Sequence, residues 1–359
     1  MEKVVRARNY SLDVLRILCC IAILIYHLPF ENESLKSITY IFATPALALF
    51  FMFTGFFGSS PNPGEKSVYP YYKKKFVHIG MPLVIFTIFY GYIYFQHFSD
   101  IFCKEGMNFI FAGIRQSFLG IFAGPNINQL WFMYDVLAIY IIWPFIKVGL
   151  DALGDRGQRK LLYLIVLLQI FISLYYLKKG IEPYLSGVIY LNGWVIYPLL
   201  GYMANKKWIE RYDRTLWVLG PCCVILNIYM AISEKLLGSN VDVFTFSPIT
   251  IIQSLFFFRL FLHMNVKENK LLKYLSERTF TAYLLGAFTT MKVDQFITNE
   301  FLKTTLPGMI VTILVLTVVT FALAAVLDFI LIENIEKLCY FVLDKIEYGI
   351  EKLHKKANK

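Results

Sequence analysis

Three ionisable residues in one apolar stretch near the N-terminus are the first candidates for chemistry. Asp13, Arg16 and His27 lie in the segment SLDVLRILCCIAILIYHLPF, residues 11–30. The eleven residues from Arg16 to His27 correspond to nearly three helical turns, or about 16 Å along one face of a helix. Asp13 precedes Arg16 by about one turn, close enough for an ion pair. The spacing therefore predicts a polar stripe on the first helix.

Two interpretations of this stripe are open. In the first, Arg16 extends to the lipid headgroups beside Asp13, and His27 caps the outer interface. In the second, the stripe lines a polar path and His27 is a general base, because the unperturbed pKa of histidine lies near working pH. An ionisable group inside a membrane span costs about 2.5–3.5 kcal/mol on insertion scales, so it needs a partner, a water-filled cavity or a function.

The elements that would position these residues are membrane-spanning helices. Hydrophobic residues make up 57% of the 359 residues, charged residues 17%, and the mean hydropathy is +0.57. The apolar residues form blocks of about twenty, the length of helix that crosses the hydrocarbon core. We expect an all-α polytopic membrane protein with about ten spans. They lie near 11–30, 38–58, 76–95, 129–150, 161–177, 187–204, 215–233, 247–264, 280–298 and 308–331.

Residues 107–124 are apolar as well, but they contain Arg115 and end next to a Gly-Pro pair. They predict an interfacial or re-entrant segment and not a further span. After Glu333, apolar residues recur every three or four positions between lysines, which predicts an amphipathic helix along the inner leaflet. We therefore divide the chain into a transmembrane domain, 1–332, and a cytoplasmic basic tail, 333–359.

The distribution of basic residues predicts the orientation. Of the 35 lysines and arginines, 25 lie in one set of alternating loops and termini, 8 lie in the opposite set, and Arg16 and Arg259 lie within spans. Because cytoplasmic loops carry the excess, both termini should be cytoplasmic, with the chain in the cell inner (plasma) membrane. The net charge of +10 is dispersed in short clusters, which favours membrane lipids over nucleic acid as the anionic partner. The cysteines lack metal-ligand spacing, so no metal site is expected.

The segment from Leu12 to His27 resembles the N-terminal signature of the bacterial membrane-bound acyltransferase family three, whose members commonly O-acetylate surface polysaccharides. Further segments are similar to later elements of that family and follow in the same order. They are PALALFFMFTGFFG (45–58), YKKKFVHIGMPLVIF (72–86), QLWFMYDVLAIYIIWPF (129–145), WVIYPLLGYMANKK (194–207) and LSERTFTAYLLG (275–286). The resemblance thus covers nearly the whole chain.

The resemblance implies a membrane acyltransferase that uses cytoplasmic acyl-CoA, with acetyl-CoA the expected donor. The acceptor would be a hydroxyl of an extracytoplasmic glycan or glycolipid. His27 would either deprotonate that hydroxyl or carry the acyl group itself, and both mechanisms are open. The sequence does not indicate an oligomeric state.

The resemblance also assigns residues to roles. The catalytic set is His27, Arg16 and Asp13. The donor phosphates would bind Lys73, Lys74, Lys75 and His78. Apart from the resemblance, Asp135 lies four residues after Trp131 and could orient a hydroxyl of the acceptor, so these two are the expected acceptor residues. Asp135 could instead pair with a basic residue such as Arg259, although we expect Arg259 to extend to the inner headgroups.

Several positions depart from the family pattern. Gln129 and Gly286 stand where the family often has histidine, and Lys75 and His78 stand where it has two arginines. A lysine binds phosphate as a point charge without the bidentate fork of arginine. Two other classes of function therefore remain: a secondary transporter or exporter of a lipid-linked glycan, since carriers also hold buried charges, and a non-catalytic homologue.

Overall fold

The structure is a computed structural model that describes residues 8–28, 33–58, 62–93, 114–115, 130–179, 193–232, 247–296, 302 and 305–357. All regular secondary structure in these residues is helical, which confirms the all-α prediction. Most of the predicted segment 107–124 lies outside the described residues, as does Gln129.

The described residues form eleven α-helices. They are α1 (Tyr10–Tyr26), α2 (Glu33–Phe56), α3 (Tyr69–Lys75), α4 (Met81–Ile93), α5 (Trp131–Lys179), α6 (Ile196–Met203), α7 (Asp213–Ile232), α8 (Pro248–His263), α9 (Lys270–Phe296), α10 (Leu306–Leu327) and α11 (Glu333–Ala357). Short 3-10 segments precede α6 and α7, at Gly193–Val195 and Lys207–Tyr212. Two π-helical segments join neighbouring helices, Phe76–Gly80 before α4 and Asp328–Ile332 before α11.

Helix α5 is two helices joined at Gly154. An unbroken helix of its 49 residues would be about 74 Å long, more than twice the hydrocarbon thickness of about 30 Å. Gly154 has φ 57° and ψ −178°, a conformation that is essentially restricted to glycine. The break falls in the predicted loop between the spans at 129–150 and 161–177.

Two helical stretches of the described residues are long and apolar enough to cross a membrane, Trp131–Tyr175 and Leu306–Ile350. Two shorter apolar helices are Phe42–Phe56 and Pro248–His263. The count of ten spans and the sidedness of the termini stay predictions.

The chain forms two compact units. The first comprises Met1–Gly58 and Leu150–Ala324, and the second comprises Ser59–Gly149 and Ala325–Lys359. Helix α11 exists as predicted from the periodicity after Glu333. The division into a transmembrane domain and a cytoplasmic tail stays a prediction.

In the first unit, α2 crosses α6 at two glycines. A Cβ added to Gly55 would lie 1.8 Å from the carbonyl oxygen of Pro198, and one added to Gly201 would lie 1.9 Å from that of Met52. The two backbones are therefore in direct contact, which small residues allow between helices in a membrane. This crossing positions α2, against which α1 packs.

In the second unit, two tyrosines of α3 bind the backbone of α5. The hydroxyl of Tyr71 donates to the carbonyl of Tyr140 at 3.3 Å, and that of Tyr72 donates to the carbonyl of Ile141 at 2.8 Å. Pro144 has no N–H, so it cannot supply the helical hydrogen bond to Tyr140 four residues earlier. The hydroxyl of Tyr71 therefore donates to the carbonyl of Tyr140 in place of the N–H that Pro144 lacks.

Candidate functional site

Helix α1 carries the three predicted catalytic residues in the first unit. The side chain of Asn9 caps its start by accepting from the backbone N–H of Leu12 at 3.1 Å. Leu12 and Leu24 are 1% exposed, and the helix packs against α2, α8 and α9. Because three helices surround α1, its rotation is fixed, and with it the directions in which Arg16 and His27 leave the backbone.

Asp13 joins the start of α1 to α9. Asp13 is 6% exposed, and its carboxylate accepts from Arg8 Nε at 2.6 Å and from Ser276 Oγ at 2.6 Å. Arg8 also donates to Glu277 at 2.7 Å. Asp13 therefore anchors the two helices at one end, an architectural role that the sequence did not indicate. Its catalytic role stays a prediction.

Arg16 lies over the rings of Phe53, on α2, and of Phe57, which directly follows α2. Its guanidinium carbon is 5.0 Å from the ring centroid of Phe53 and 5.6 Å from that of Phe57. Both distances are within the range of a cation–π interaction, which orients the guanidinium plane. The side chain is half-buried. Aromatic faces stabilise the charge of Arg16 without neutralising it.

His27 lies immediately after the last residue of α1. Its backbone N–H donates to the carbonyl of Leu24 at 3.2 Å, and its ring meets Tyr26 edge-on with centroids 5.2 Å apart. His27 as a whole residue is exposed, whereas the next residue, Leu28, is 3% exposed. His27 thus retains accessible surface while the backbone next to it is held by hydrogen bonds to α1.

Gly286, one of the departures from the family pattern, contacts α1 near this histidine. A Cβ at Gly286 would lie 2.7 Å from Cδ2 of Leu24, one turn before His27. Leu24 therefore occupies the space that a larger side chain at position 286 would need. A histidine there would require the leucine to move.

The predicted donor residues lie in the second unit and have different surroundings. Lys73 pairs with Asp344, and with Glu347 at 2.8 Å, both on α11. Hydrogen bonding to Asp344, and then to Glu347, raises the pKa of the Lys73 ammonium above its ordinary value. Lys74 is exposed. Lys73 thus binds α11, whereas Lys74 lies on the surface.

His78 also binds α11. Its Nδ1 is 2.8 Å from Glu336 Oε1, and its Nε2 is 3.1 Å from the hydroxyl of Tyr340. Lys75 instead places its ammonium 3.7 Å from the ring centroid of Tyr140 on α5. The sequence could not indicate the role of α11, because its contacts join residues more than 250 positions apart.

Asp135 and Trp131, the predicted acceptor residues, lie one turn apart in the first part of α5. Both are half-buried. Within the described part of the chain, Asp135 has no hydrogen-bond or ionic partner. A half-buried carboxylate without a partner is costly inside a membrane, which makes Asp135 a candidate for binding a hydroxyl.

The structure contradicts the prediction that the side chain of Arg259 extends to the inner headgroups. It is 7% exposed, and it donates to Asp213 Oδ1 at 2.8 Å, to Asp213 Oδ2 at 2.5 Å and to the carbonyl of Ala204 at 3.0 Å. His263 binds the same carboxylate at 2.7 Å. Arg259 therefore pairs with Asp213 and not with Asp135, the partner that the sequence suggested. The cluster of Asp213, Arg259 and His263 joins α7 to α8.

The comparison with protein families decides the general class. Residues 9–329 match the acyltransferase domain of acyltransferase family 3. The chain belongs to this family. The match includes α1 with Arg16 and His27, so it confirms the resemblance that these residues indicated. No curated protein and no solved structure matches the chain.

Membership in acyltransferase family 3 makes the chain a membrane acyltransferase in general terms. The structure distributes the predicted residues over both units. The first unit holds His27, Arg16 and Asp13, and the second holds Lys73, Lys74, Lys75, His78, Asp135 and Trp131. Their assigned roles stay predictions.

Proposed function

We propose that the protein transfers an acyl group from cytoplasmic acyl-CoA to a hydroxyl of an extracytoplasmic glycan or glycolipid. Acetyl is the group that we expect. The observation that carries the proposal is the exposed residue His27 at the end of α1, within a chain of an acyltransferase family. An imidazole next to a fixed backbone suits both proton transfer and acyl transfer.

His27 can act in either of two balanced sequences. As a general base, it takes the proton of the acceptor hydroxyl while the oxygen attacks the thioester carbonyl, and the proton leaves with the CoA thiolate. As a nucleophile, its ring nitrogen attacks the thioester, and CoA leaves as the thiol with the proton of the other ring nitrogen. The acceptor hydroxyl then attacks the acyl-imidazole, and its proton passes to the departing imidazole. Both sequences form one ester and break one thioester, and each returns His27 to its initial state.

Arg16 and Asp135 have supporting roles in this proposal. Arg16, oriented by the rings of Phe53 and Phe57, would stabilise negative charge on the donor. Asp135, which lacks a partner among the described residues, would accept a hydrogen bond from the hydroxyl of the acceptor. Trp131 would offer a ring face to the sugar, one turn from Asp135.

The donor phosphates are proposed to bind at the cytoplasmic basic segment before α4. Lys74 is exposed and available to a phosphate. Lys73 and His78 bind carboxylates of α11, so phosphates would have to replace Asp344, Glu347 and Glu336 there. Lys75 lies in a more apolar environment, over the ring of Tyr140.

This function requires a particular topology. We propose about ten spans in the cell inner membrane, with both termini in the cytoplasm and α11 along the inner leaflet. The excess of 25 basic residues over 8 in alternating segments supports this arrangement. Donor and acceptor would then approach from opposite sides of the membrane.

The test is mass spectrometry of cell-surface glycans from cells that carry the wild type, His27→Ala or no gene. We expect His27→Ala to lose the acyl mass, because acid–base catalysis contributes about 10²–10⁴-fold. Arg16→Ala should reduce it, and Arg16→Lys should retain part of it, because lysine keeps the charge without the planar fork. His97→Ala and His354→Ala are the matched controls and should be normal.

Each variant is purified and compared with the wild type by thermal shift, so that loss of folding is separated from loss of chemistry. Near-normal acylation in folded His27→Ala would disprove the site. If deletion of the gene leaves acylation unchanged but alters glycan export, the exporter is the better description. No change in either would favour a non-catalytic homologue.

A further inference from the structure

The second unit contains a cavity between the segment that leads into α4 and the first part of α5. Its volume is about 430 Å³, within the range of roughly 300–1,000 Å³ that ligand pockets occupy. The lining is mostly apolar and includes Leu83 and Ala138. Tyr134 and Tyr140 add rings to the wall. The cavity therefore suits a hydrocarbon chain.

Lys75 is the single cation of this lining. Its ammonium lies 3.7 Å from the ring centroid of Tyr140 and 5.7 Å from that of Tyr71. Aromatic faces stabilise an ammonium but do not neutralise it. Lys75 thus brings a positive charge to one end of an otherwise apolar space.

Two neighbouring residues, Lys73 and His78, bind carboxylates of α11, whereas among the described residues Lys75 binds none. Lys73 pairs with two carboxylates of α11, and His78 pairs with a third. Among the described residues, no carboxylate forms an ion pair with Lys75. The charge of this lysine therefore remains available to an anion from outside the described chain.

The cavity opens beside exposed apolar side chains. Phe76 is 40% exposed and Ile141 is 51% exposed, and both line it. In a membrane protein such a surface faces lipid chains. Under the proposed topology, Lys75 lies near the inner headgroups, where basic pockets between helices bind anionic lipids.

We propose that this cavity binds one anionic phospholipid of the inner leaflet. Its phosphate pairs with Lys75, and one acyl chain lies against Leu83 and Ala138. This ligand fits better than the nucleotide of acyl-CoA, because a single cation and an apolar wall match a headgroup and a chain. The polar adenosine and several phosphates of CoA would need more donors and cations than this lining contains.

The inference rests on the membrane topology of the proposed function, but it does not depend on acyl transfer. A lipid that binds only the folded protein stabilises it by mass action. Here it would bridge the start of α4 and the first part of α5, which also carries Asp135. Occupancy should therefore raise the thermal stability of the segment that carries the proposed acceptor site.

The test is native mass spectrometry of purified, delipidated protein titrated with phosphatidylglycerol or phosphatidylcholine. We expect one tightly bound phosphatidylglycerol, and weaker binding of phosphatidylcholine, whose headgroup has no net charge. Lys75→Gln should weaken phosphatidylglycerol binding by about tenfold or more, because a charge-assisted contact is lost. Lys74→Gln, the adjacent exposed lysine, should change it by no more than about twofold.

Ala138→Phe tests the chain-binding part of the cavity. Ala138 is exposed, so the larger ring should enter the cavity without disturbing the core. It should weaken phosphatidylglycerol binding while leaving the thermal unfolding of the lipid-free protein near that of the wild type. If this variant unfolds, Val84→Phe on the other wall replaces it.

Three results would overturn the proposal. Equal losses in Lys74→Gln and Lys75→Gln would mean that general surface charge attracts the lipid. Equal binding of the two lipids would exclude the charge pairing. Displacement of phosphatidylglycerol by CoA, with normal lipid binding in Ala138→Phe, would assign Lys75 to the donor. None of these measurements requires catalysis, so they test lipid binding even if the protein does not transfer acyl groups.

Discussion

At the scale of single residues, the cluster of Asp213, Arg259 and His263 shows how a buried charge is accommodated. The guanidinium of Arg259 binds both oxygens of Asp213 and one backbone carbonyl. Desolvation acts to raise the pKa of the Asp213 carboxyl, but the hydrogen bonds from Arg259 and His263 hold it below its ordinary value. The pair is therefore ionised throughout the neutral range.

Asp213→Asn should destabilise the protein strongly. The substitution leaves the charge of Arg259 buried without an opposite charge, and breaking such a pair costs on the order of 3 kcal/mol. Thermal unfolding in detergent measures the effect. The control is Glu277→Gln, which removes the 47%-exposed partner of Arg8 and should cost less than about 1 kcal/mol.

The loss of stability in Asp213→Asn should depend on pH. Because the folded pKa of Asp213 is lowered, its stabilising effect is present above the unfolded pKa of about 3.9 and is lost as the pH falls through the folded pKa. The difference in Tm between wild type and Asp213→Asn should therefore be constant near neutral pH and shrink only in strong acid. A difference that already shrinks between pH 8 and about pH 6 would contradict the lowered pKa of the Asp213 carboxyl.

The residues of the candidate site differed in how far the sequence could predict their surroundings. Arg16 and His27 are recognisable because helical spacing relates two positions on one helix. The partners of Asp13 and Arg259 are not, since Ser276 lies 263 positions from Asp13 and Asp213 lies 46 from Arg259. The sequence shows that a buried charge needs a partner, but it does not show which of several acids is near.

At the scale of helices, the crossing of α2 and α6 depends on the absence of side chains. Gly55 and Gly201 bring each backbone against a carbonyl of the other helix. A backbone cannot move aside as a flexible side chain can, so both glycines are required by close approach. Because α1 packs on α2, the crossing also supports the helix that carries His27.

Gly201→Ala should therefore lower stability by about 3 kcal/mol or more, at the upper end of the usual cost of overpacking. Gly149→Ala is the matched control, because Gly149 is also helical and a Cβ there would have no heavy atom within 4 Å. Alanine at that position should be neutral or stabilise by up to about 1 kcal/mol. Thermal unfolding of both variants in detergent measures the contrast, and equal Tm values would contradict the backbone contact.

Helix boundaries were predicted well where charge and polarity mark them, and less well elsewhere. The loop at 151–160 contains the break at Gly154, as expected. Helix α9, however, begins at Lys270, ten residues before the predicted span at 280–298. Its first turns are too charged to count as a span, yet lysine, glutamate and arginine are good helix formers. This extension carries Ser276 and Glu277, the partners of Asp13 and Arg8.

At the scale of the whole molecule, the candidate residues are divided by type. The first unit holds the guanidinium of Arg16 and the imidazole of His27. The second holds the basic segment, the cavity beside Lys75 and Asp135, which has no partner among the residues that the structure describes. The candidates for catalysis thus lie in one unit, and the candidates for binding both substrates lie in the other. The family match shows the reaction class, but the identity of both substrates depends on which side each group faces.

The decisive whole-molecule prediction is therefore the topology. The loops near 59–75, 151–160, 205–214 and 265–279 should be cytoplasmic, because they belong to the set of segments with 25 of the 35 basic residues. We would replace the six native cysteines by serine and introduce single exposed cysteines that remove no cytoplasmic charge. These are Ser67→Cys, Ala152→Cys, Asn205→Cys and Asn265→Cys.

In intact cells, a membrane-impermeant thiol reagent should not label these four cysteines, whereas it should label all four after permeabilisation. Lys179→Cys, exposed at the end of α5 and predicted to face outward, is the positive control for labelling from outside. The four cysteines should be protected in intact cells because basic loops are retained on the cytoplasmic side during insertion. Labelling of Ser67→Cys from outside would place Lys73, Lys74 and Lys75 on the wrong side for cytoplasmic acyl-CoA. It would also place Lys75 at the outer leaflet, so the donor site would have to be sought in another basic segment.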